Sequence, residues 1–458
     1  MLPVPAFRNQ TVAVFGIARS GRAAVRALKA GGAKVVAWDD SAERRAEAEA
    51  DGALIADLTK SMHGASALVL SPGVPLTHPA PHPVVAQARK DGAAIIGDIE
   101  LFFRRKPQAR VVGITGTNGK STTTALIAFL LEACGVPAAL GGNIGTPVLE
   151  LADIASGGAY VLELSSFQID LTPSIACDVA ILLNVTPDHL DRHGDMDGYV
   201  AVKRRIFSQP TGATAIIGVD DHHCRGIWEE LRAQPGRRVI PIAIGRRIDG
   251  GISVVEGRLE DRSGATTFVL DIAALATLRG AHNWQNTAAA FAAVRALGVK
   301  PEAIAAALPR FPGLAHRMET VATLGNVTFV NDSKATNADA TEKALVCFDT
   351  IYWIAGGRAK VGGIEPLVPH FHRIRHAFLI GEAAADFART LDGHVPVTLS
   401  GDMATAVRQA ANLARDEGRR GAVVLLSPAC SSFDQFRDFE QRGDAFRAVV
   451  AAVTGEDA

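Results

Sequence analysis

At 458 residues and 48% hydrophobic, the chain is long enough for about three domains, each with its own core. With 47 Lys+Arg against 48 Asp+Glu it carries no overall field that would recruit nucleic acid or an anionic membrane, which points to small-molecule partners. The five scattered cysteines lack a Cys-x-x-Cys pair and suit a reducing cytosol, and the uncharged run Ala133 to Leu149 is too broken by glycine, proline and asparagine to cross a bilayer.

The first segment opens with a strand, Thr11 to Phe15, running through Gly16-Ile17-Ala18-Arg19-Ser20-Gly21 into a helical run from Arg22 to Lys29. A second strand, Lys34 to Trp38, ends in Asp39-Asp40, about twenty residues on, where an acidic side chain would meet a ribose. This is a near-match to the dinucleotide fingerprint. However, Ala18 stands where the middle glycine lets a pyrophosphate approach, which disfavours NAD. Strand-and-loop signals at Ala67 to Gly73 and Ala94 to Gly97 complete a βαβ alternation that ends near Pro107.

The middle segment begins with VVGITGTNGKSTTT, Val111 to Thr124. A buried strand leads into a turn freed by Gly116 and Gly119, Lys120 supplies a mobile charge, and Ser121 to Thr124 open a helix whose positive end faces the same point. The usual P-loop spacing would place glycine at Ile114, so this is a variant loop, with a nucleoside triphosphate as its default ligand. Downstream, Ala159 to Leu164 carries Glu163, a carboxylate that is costly in an apolar strand unless paired or metal-bound. Val179 to Val185 leads into Thr186-Pro187-Asp188-His189. A carboxylate and a histidine on strand ends beside a phosphate loop suit magnesium, although His189 reads equally as a surface-loop histidine. On the helix from about Asp195 to Phe207, Lys203 reads by itself as a solvated lysine. Short β-like runs follow between Thr214 and Leu270 without an evident arrangement. His282, Asn283 and Asn286 then start an alanine-rich helix, where they either cap the turn or reach a ligand.

The third segment follows Phe311-Pro312-Gly313. Strands at Val327 to Val330, Ile351 to Ala355 and Ala422 to Leu426 each run into polar loops, respectively NDSKATN, GGRAK and SPACSSFDQFRDFEQRG. Two further function classes stay open on these residues. A nicotinamide oxidoreductase built on the first fingerprint leaves the phosphate loop idle, and a nucleotide-gated binding protein has no need of acceptor residues in the last segment.

With TGTNGKST, the Glu163 and His189 strand ends, HNWQN, LAHR, NDSKATN and SPACSSFDQFRDFEQRG in this order, nearly the whole chain resembles the Mur ligase family of peptidoglycan synthesis. Its GIARSG-type first domain and FEQRG ending resemble the branch that adds D-glutamate. The Asp-Asn-Pro-Arg stretch of diaminopimelate-adding members is missing, and Asn118 stands where alanine-adding members have histidine.

The resemblance implies an α/β fold of three consecutive domains. These are a Rossmann-like N-terminal domain for the UDP-sugar over 1–106, a central P-loop-type ATPase domain with a mostly parallel sheet over 107–313, and a C-terminal Rossmann-like amino-acid-binding domain over 314–458. The implied activity is ATP-dependent addition of D-glutamate to UDP-N-acetylmuramoyl-L-alanine through an acyl phosphate. The implied enzyme is a cytoplasmic monomer that uses Mg2+ and binds neither nucleic acid nor membrane.

Residue by residue, the resemblance places ATP phosphates on Gly116, Thr117, Asn118, Gly119, Lys120, Ser121 and Thr122, with His282, Asn283 and Asn286 by the nucleotide. Ser121 and Glu163 would hold one magnesium, and His189 with a carbamylated Lys203 the second. Arg317 would reach the phosphates and Asp332 the ATP ribose. Lys120, Glu163, His189, Lys203 and Arg317 are the expected catalytic set. The sugar nucleotide would meet Ile17, Ala18, Arg19, Ser20, Asp39, Asp40, Gly73 and Asn143, and the amino acid Lys334, Thr336, Lys360, Ser432 and Phe439.

Overall fold

Apolar runs that end in glycine or polar residues form parallel strands, and their carboxyl ends gather the polar loops on one side of each sheet. A computed structural model of the chain describes residues 1–208, 212–275, 277–359 and 362–455. Its strands form three sheets, of five, nine and six strands. The first two belong to one compact unit, Met1–Ala274 with Asn283–Phe311, and the third to a second, Leu275–His282 with Pro312–Ala458.

The first sheet comprises β1 (Thr11–Phe15), β2 (Lys34–Trp38), β3 (Leu54–Ile55), β4 (Ala67–Leu70) and β5 (Ala94–Ile96), all parallel in the order β3-β2-β1-β4-β5. The strand order reverses between β1 and β4, so the loops after these two strands part and leave a crevice. The following helix runs from Arg19 to Ala30, ahead of the Arg22 start suggested by the sequence. Gly21 permits this packing, because a Cβ there would stand 1.9 Å from Gly16 O.

The second sheet takes β6 (Arg110–Thr115), β7 (Ala138–Gly142), β8 (Ala159–Glu163), β9 (Val179–Leu182), β10 (Thr214–Gly218), β11 (Arg238–Ile244), β12 (Ile252–Val255), β13 (Arg258–Asp261) and β14 (Phe268–Asp271). Their order is β14-β13-β12-β11-β10-β9-β6-β8-β7. Pairing is parallel from β7 to β12 and antiparallel at β13 and β14. The short runs after Thr214 therefore extend this sheet at one side. β13, with the sequence RLED, forms a strand despite its charges because buried Asp261 pairs with Arg295. One apolar cluster runs beneath both sheets, from Leu2 and Val14 to Tyr160 and Leu182. Main-chain bonds from Leu2 N to Leu149 O (2.7 Å) and Gly97 N to Leu171 O (2.8 Å) also tie the two sheets.

The third sheet takes β15 (Glu319–Leu324), β16 (Val327–Asn331), β17 (Ile351–Gly356), β18 (Ile374–Ile380), β19 (Val397–Gly401) and β20 (Ala422–Leu426) in the order β15-β16-β20-β17-β18-β19, with only β15 antiparallel. Because β20 inserts between β16 and β17, the loops after these three strands lie side by side. Apolar clusters cover both faces, one reaching the helices Met403–Glu417 and Phe439–Thr454, the other Ala338–Leu345 and Ala384–Leu391.

Candidate active site

At the reversal point of the first sheet lies a cavity of about 600 Å³, lined by Gly16, Ala18, Asp39, Asp40, Ser71 and Gly73 among others. Asp39 is buried behind its rim and accepts from Ile17 N (2.6 Å) and Ser41 N (2.9 Å). Ile17 is thus a loop-shaping residue whose N–H is already engaged. Arg19 reaches toward the second sheet, with Nη2 donating to Gly145 O (2.8 Å), and Ser20 sits in the first turn of its helix.

The phosphate loop joins β6 to the helix Lys120–Ala133. Gly119 caps that helix at φ +85°, and a Cβ there would lie 2.2 Å from Asn286 Oδ1, so any other residue strains the turn and must displace Asn286. Asn184 clasps the turn, accepting from Asn118 N (2.8 Å) on Oδ1 and donating from Nδ2 to Asn118 O (3.2 Å), while its carbonyl accepts from Thr117 N (2.9 Å). Asn286 Oδ1 accepts from Thr123 Oγ1 (3.3 Å) and its Nδ2 donates to Asn283 Oδ1 (3.1 Å). Both asparagines lie within the helix Ala281–Ala296, so Asn283 is not the cap its position suggested.

Two lysines converge on this turn. Lys120 Nζ donates to Gly116 O (3.0 Å) and Thr117 O (2.9 Å), and Lys203 Nζ donates to the same Gly116 O (2.9 Å) and more weakly to Thr115 Oγ1 (3.4 Å). Lys203 is only 1% exposed, which overturns its reading as a solvated lysine. It lies one helical turn beyond Tyr199, whose ring it covers at 4.7 Å and whose hydroxyl meets Thr117 Oγ1 at 3.2 Å. Burial, with the nearby Lys120 charge, brings the Lys203 pKa down to about 7.

Beside β6, Glu163 ends β8 with Oε1 accepting from Asn143 Nδ2 (2.7 Å), so Asn143 orients the carboxylate. Glu163 Oε2 is buried and has no hydrogen-bond partner among the described residues. His189 adopts φ +53° and packs its ring 4.8 Å from that of Phe167. Burial foremost, together with the Lys120 and Lys203 charges, lowers its pKa, favouring the neutral imidazole that a metal requires. Among the described residues no group of three or more His, Cys, Asp or Glu forms a metal cage. Magnesium usually takes only one or two protein carboxylates and completes its shell with water and substrate phosphates. An orphaned, buried carboxylate oxygen is costly without a cation, so Glu163 fits that ion.

In the second unit, Asp332 follows β16, accepting from Met318 N (3.2 Å) and Ser427 Oγ (2.9 Å), and burial raises its pKa to about 7. Arg442, 1% exposed, pins the polar loops together by donating to Ser333 Oγ (3.0 Å), Ser333 O (2.7 Å) and Cys430 O (3.1 Å). Arg358 and Ser431 exchange main-chain bonds (2.9 and 3.1 Å) next to buried Ser432. Lys334 Nζ stands 4.4 Å from the Phe439 ring, and Thr336 is half-buried on the same loop as Lys334. His282 also belongs to this unit, and burial, with the Lys343 and Arg317 charges, lowers its pKa to about 4. Lys360 lies outside the described residues. The sequence did not single out Tyr199, Arg442 or Ser427; Tyr199's spacing of one helical turn before Lys203 was the available signal.

Residues 114–294 match the family described as Mur ligase middle domain, and residues 316–430 the one described as Mur ligase, glutamate ligase domain. The UDP-N-acetylmuramoylalanine--D-glutamate ligase of Phenylobacterium zucineum is 53% identical over 459 residues, covering 98% of each chain. The protein of that name from Nitrobacter winogradskyi is 53% identical over 463 residues, covering 99% of each. Among solved structures, a UDP-N-acetylmuramate-alanine ligase from Thermotoga maritima superposes with a TM-score of 0.56 at 16% identity, covering 97% of this chain and 99% of its own. A UDP-N-acetylmuramoyl-L-alanyl-D-glutamate--2,6-diaminopimelate ligase does so at 0.54 and 19% identity, covering 92% of each. These two share the fold.

Proposed function

The chain belongs to the Mur ligase family, and from that premise we propose that it joins D-glutamate to UDP-N-acetylmuramoyl-L-alanine at the expense of ATP, releasing ADP and phosphate in peptidoglycan precursor synthesis. In the geometry, the observation that carries this reading is the meeting of Lys120 and Lys203 on Gly116 O. Burial and the neighbouring Lys120 charge favour loss of the Lys203 proton, which leaves the Lys120 ammonium to meet a polyanion, and the loop N–H groups and helix start beside it suit a triphosphate. The functional division follows the sheets, with 1–106 for the sugar nucleotide, 107–313 for ATP and 314–458 for the amino acid.

A free carboxylate is a poor electrophile. In the proposed reaction an oxygen of the L-alanyl carboxylate attacks the γ-phosphorus, the bond to the ADP oxygen breaks, and an acyl phosphate forms. The D-glutamate amine, having shed one proton, then attacks the acyl carbon. Phosphate leaves with the former carboxylate oxygen, and a second proton departs as the amide forms. Lys120 and the loop N–H groups stabilise the transferring phosphoryl group. Ser121 and Glu163 are the residues to hold one magnesium, and His189 and Lys203 the other. Magnesium, when bound, supplies neutralisation of phosphate charge.

For Lys203 to be a metal ligand it must carry a carbamate, and only a neutral amine reacts with carbon dioxide. With its pKa at about 7, roughly half of the Lys203 side chains are neutral at neutral pH, against about one in a few thousand for an ordinary lysine, which supports that modification. We assign a phosphate contact to Arg317 and an ATP-ribose contact to Asp332. Lys334, Thr336, Lys360, Ser432 and Phe439 are assigned to the amino acid. Among the described residues no helix is long and apolar enough to cross a membrane, and we place the enzyme in the cytoplasm as a monomer.

Phosphate release assayed with UDP-N-acetylmuramoyl-L-alanine and, in turn, D-glutamate, L-glutamate, D-aspartate and meso-diaminopimelate tests the reading. Turnover should require both substrates and prefer D-glutamate, and preference for any other acceptor defeats it.

A further inference from the structure

Arg192 belongs to the short helix Leu190–His193 that follows His189. Only 6% of it is exposed, yet its Nε is buried without a hydrogen-bond partner among the described residues. Nη2 makes one bond at the long limit, to Pro72 O at 3.4 Å, and the guanidinium otherwise lies over the Phe167 ring at 5.2 Å. The acidic neighbour Asp170 is engaged by Arg205 instead, at 3.1 Å. The Asp170 and Asp191 charges act on it, but among the described residues neither forms an ion pair with it, so a guanidinium taken this far out of water is short of an anionic partner.

Its surroundings narrow down what that partner is. Pro72 lies between Ser71 and Gly73, two residues of the first sheet's cavity lining. Phe167 follows the Glu163 strand end and packs against His189. A Cβ on Gly194 would approach His78 Nε2 to 3.1 Å, so the chain beyond Gly73 closes against this same turn. Arg192 therefore stands where the rim of the sugar-nucleotide cavity meets the Glu163–His189 end of the phosphate site.

We propose that Arg192 is a substrate-binding residue whose guanidinium receives an oxyanion of the sugar nucleotide as it spans from the cavity to the phosphate loop. This rests on the sugar-nucleotide reading above. The fork of N–H groups suits a diphosphate or a carboxylate equally, and that substrate carries both.

Calorimetric titration of the full chain separates the cases, using UDP-N-acetylmuramoyl-L-alanine and UDP-N-acetylglucosamine, which has the diphosphate without the carboxylate. Arg192→Gln should weaken binding of the first ligand at least tenfold and raise its KM, with the melting temperature and the KM values for ATP and D-glutamate unchanged. Arg192→Lys, which keeps the charge without the fork, should fall between. Equal weakening of both ligands identifies the diphosphate, and weakening of the alanyl ligand alone identifies the carboxylate. If Arg192→Gln disturbs folding, the lysine variant decides by the same comparison. Unchanged affinity for both ligands in a folded variant makes Arg192 a packing residue and overturns the proposal. Failure of the unaltered chain to bind either ligand defeats the sugar-nucleotide reading itself, and the proposal with it.

Discussion

In the first unit Lys120 and Lys203 share Gly116 O, and among the described residues Glu163 keeps a buried oxygen without a hydrogen-bond partner and Arg192 holds one long hydrogen bond. In the second, Arg442 donates three hydrogen bonds to neighbouring loops and Asp332 accepts two. On the proposed reading, the first arrangement concentrates charge for an incoming triphosphate and its cations to neutralise. The second uses buried polar groups as mutual scaffolding, so that three loops present a platform with Lys334 and Ser432 on it. The same residue types therefore carry different liabilities, left open to a ligand in one unit on the proposed reading and mutually satisfied in the other.

Variants that pull these liabilities apart sharpen the comparison. The largest effect belongs to the lysine pair. Lys120→Ala and Lys203→Arg should each remove about 3 kcal/mol or more of transition-state stabilisation, read as kcat/KM, while leaving the melting temperature nearly unchanged. Arg442→Gln should do the reverse, costing about 3 kcal/mol in denaturant unfolding of the second unit and raising the D-glutamate KM, with ATP binding retained. A stable Arg442 variant would erase the contrast. Gly119→Ala should cost about 1 to 3 kcal/mol in ATP affinity, because it strains φ +85° and displaces Asn286.

The smallest effect is a slope. Burial holds the Asp332 pKa at about 7, above its ordinary 3.8, so the folded chain keeps a proton that the unfolded chain loses between these values. Its contribution is complete below the unfolded value and disappears as pH rises through about 7. Stability of the second unit should fall over that window, and Asp332→Asn should flatten the fall.

What could be read in the sequence were the features written locally. Thr11 to Phe15 and Lys34 to Trp38 are strands residue for residue, and the turn from Gly116 to Thr122 holds its own signature of glycine, lysine and hydroxyl. The charged strand β13 was not legible, because its buried carboxylates are tolerated through partners outside the strand, Asp261 with Arg295 and Glu260 with Arg247 and Arg262. Site residues escaped for the same reason. Tyr199 acts on Thr117 across 82 residues, Arg192 on Pro72 across 120 and Arg442 on Ser333 across 109. Lys203 looks solvated until the helix carrying it folds its Nζ onto Gly116 O, 87 residues away in the chain.

The acyl-phosphate ligase assignment is tested most directly by following oxygen. UDP-N-acetylmuramoyl-L-alanine labelled with 18O in its terminal carboxylate is turned over with ATP and D-glutamate, and the released phosphate is weighed by mass spectrometry. Each phosphate should carry one labelled oxygen, and its release should require D-glutamate. Phosphate bearing no label, released whether or not D-glutamate is present, would contradict that assignment.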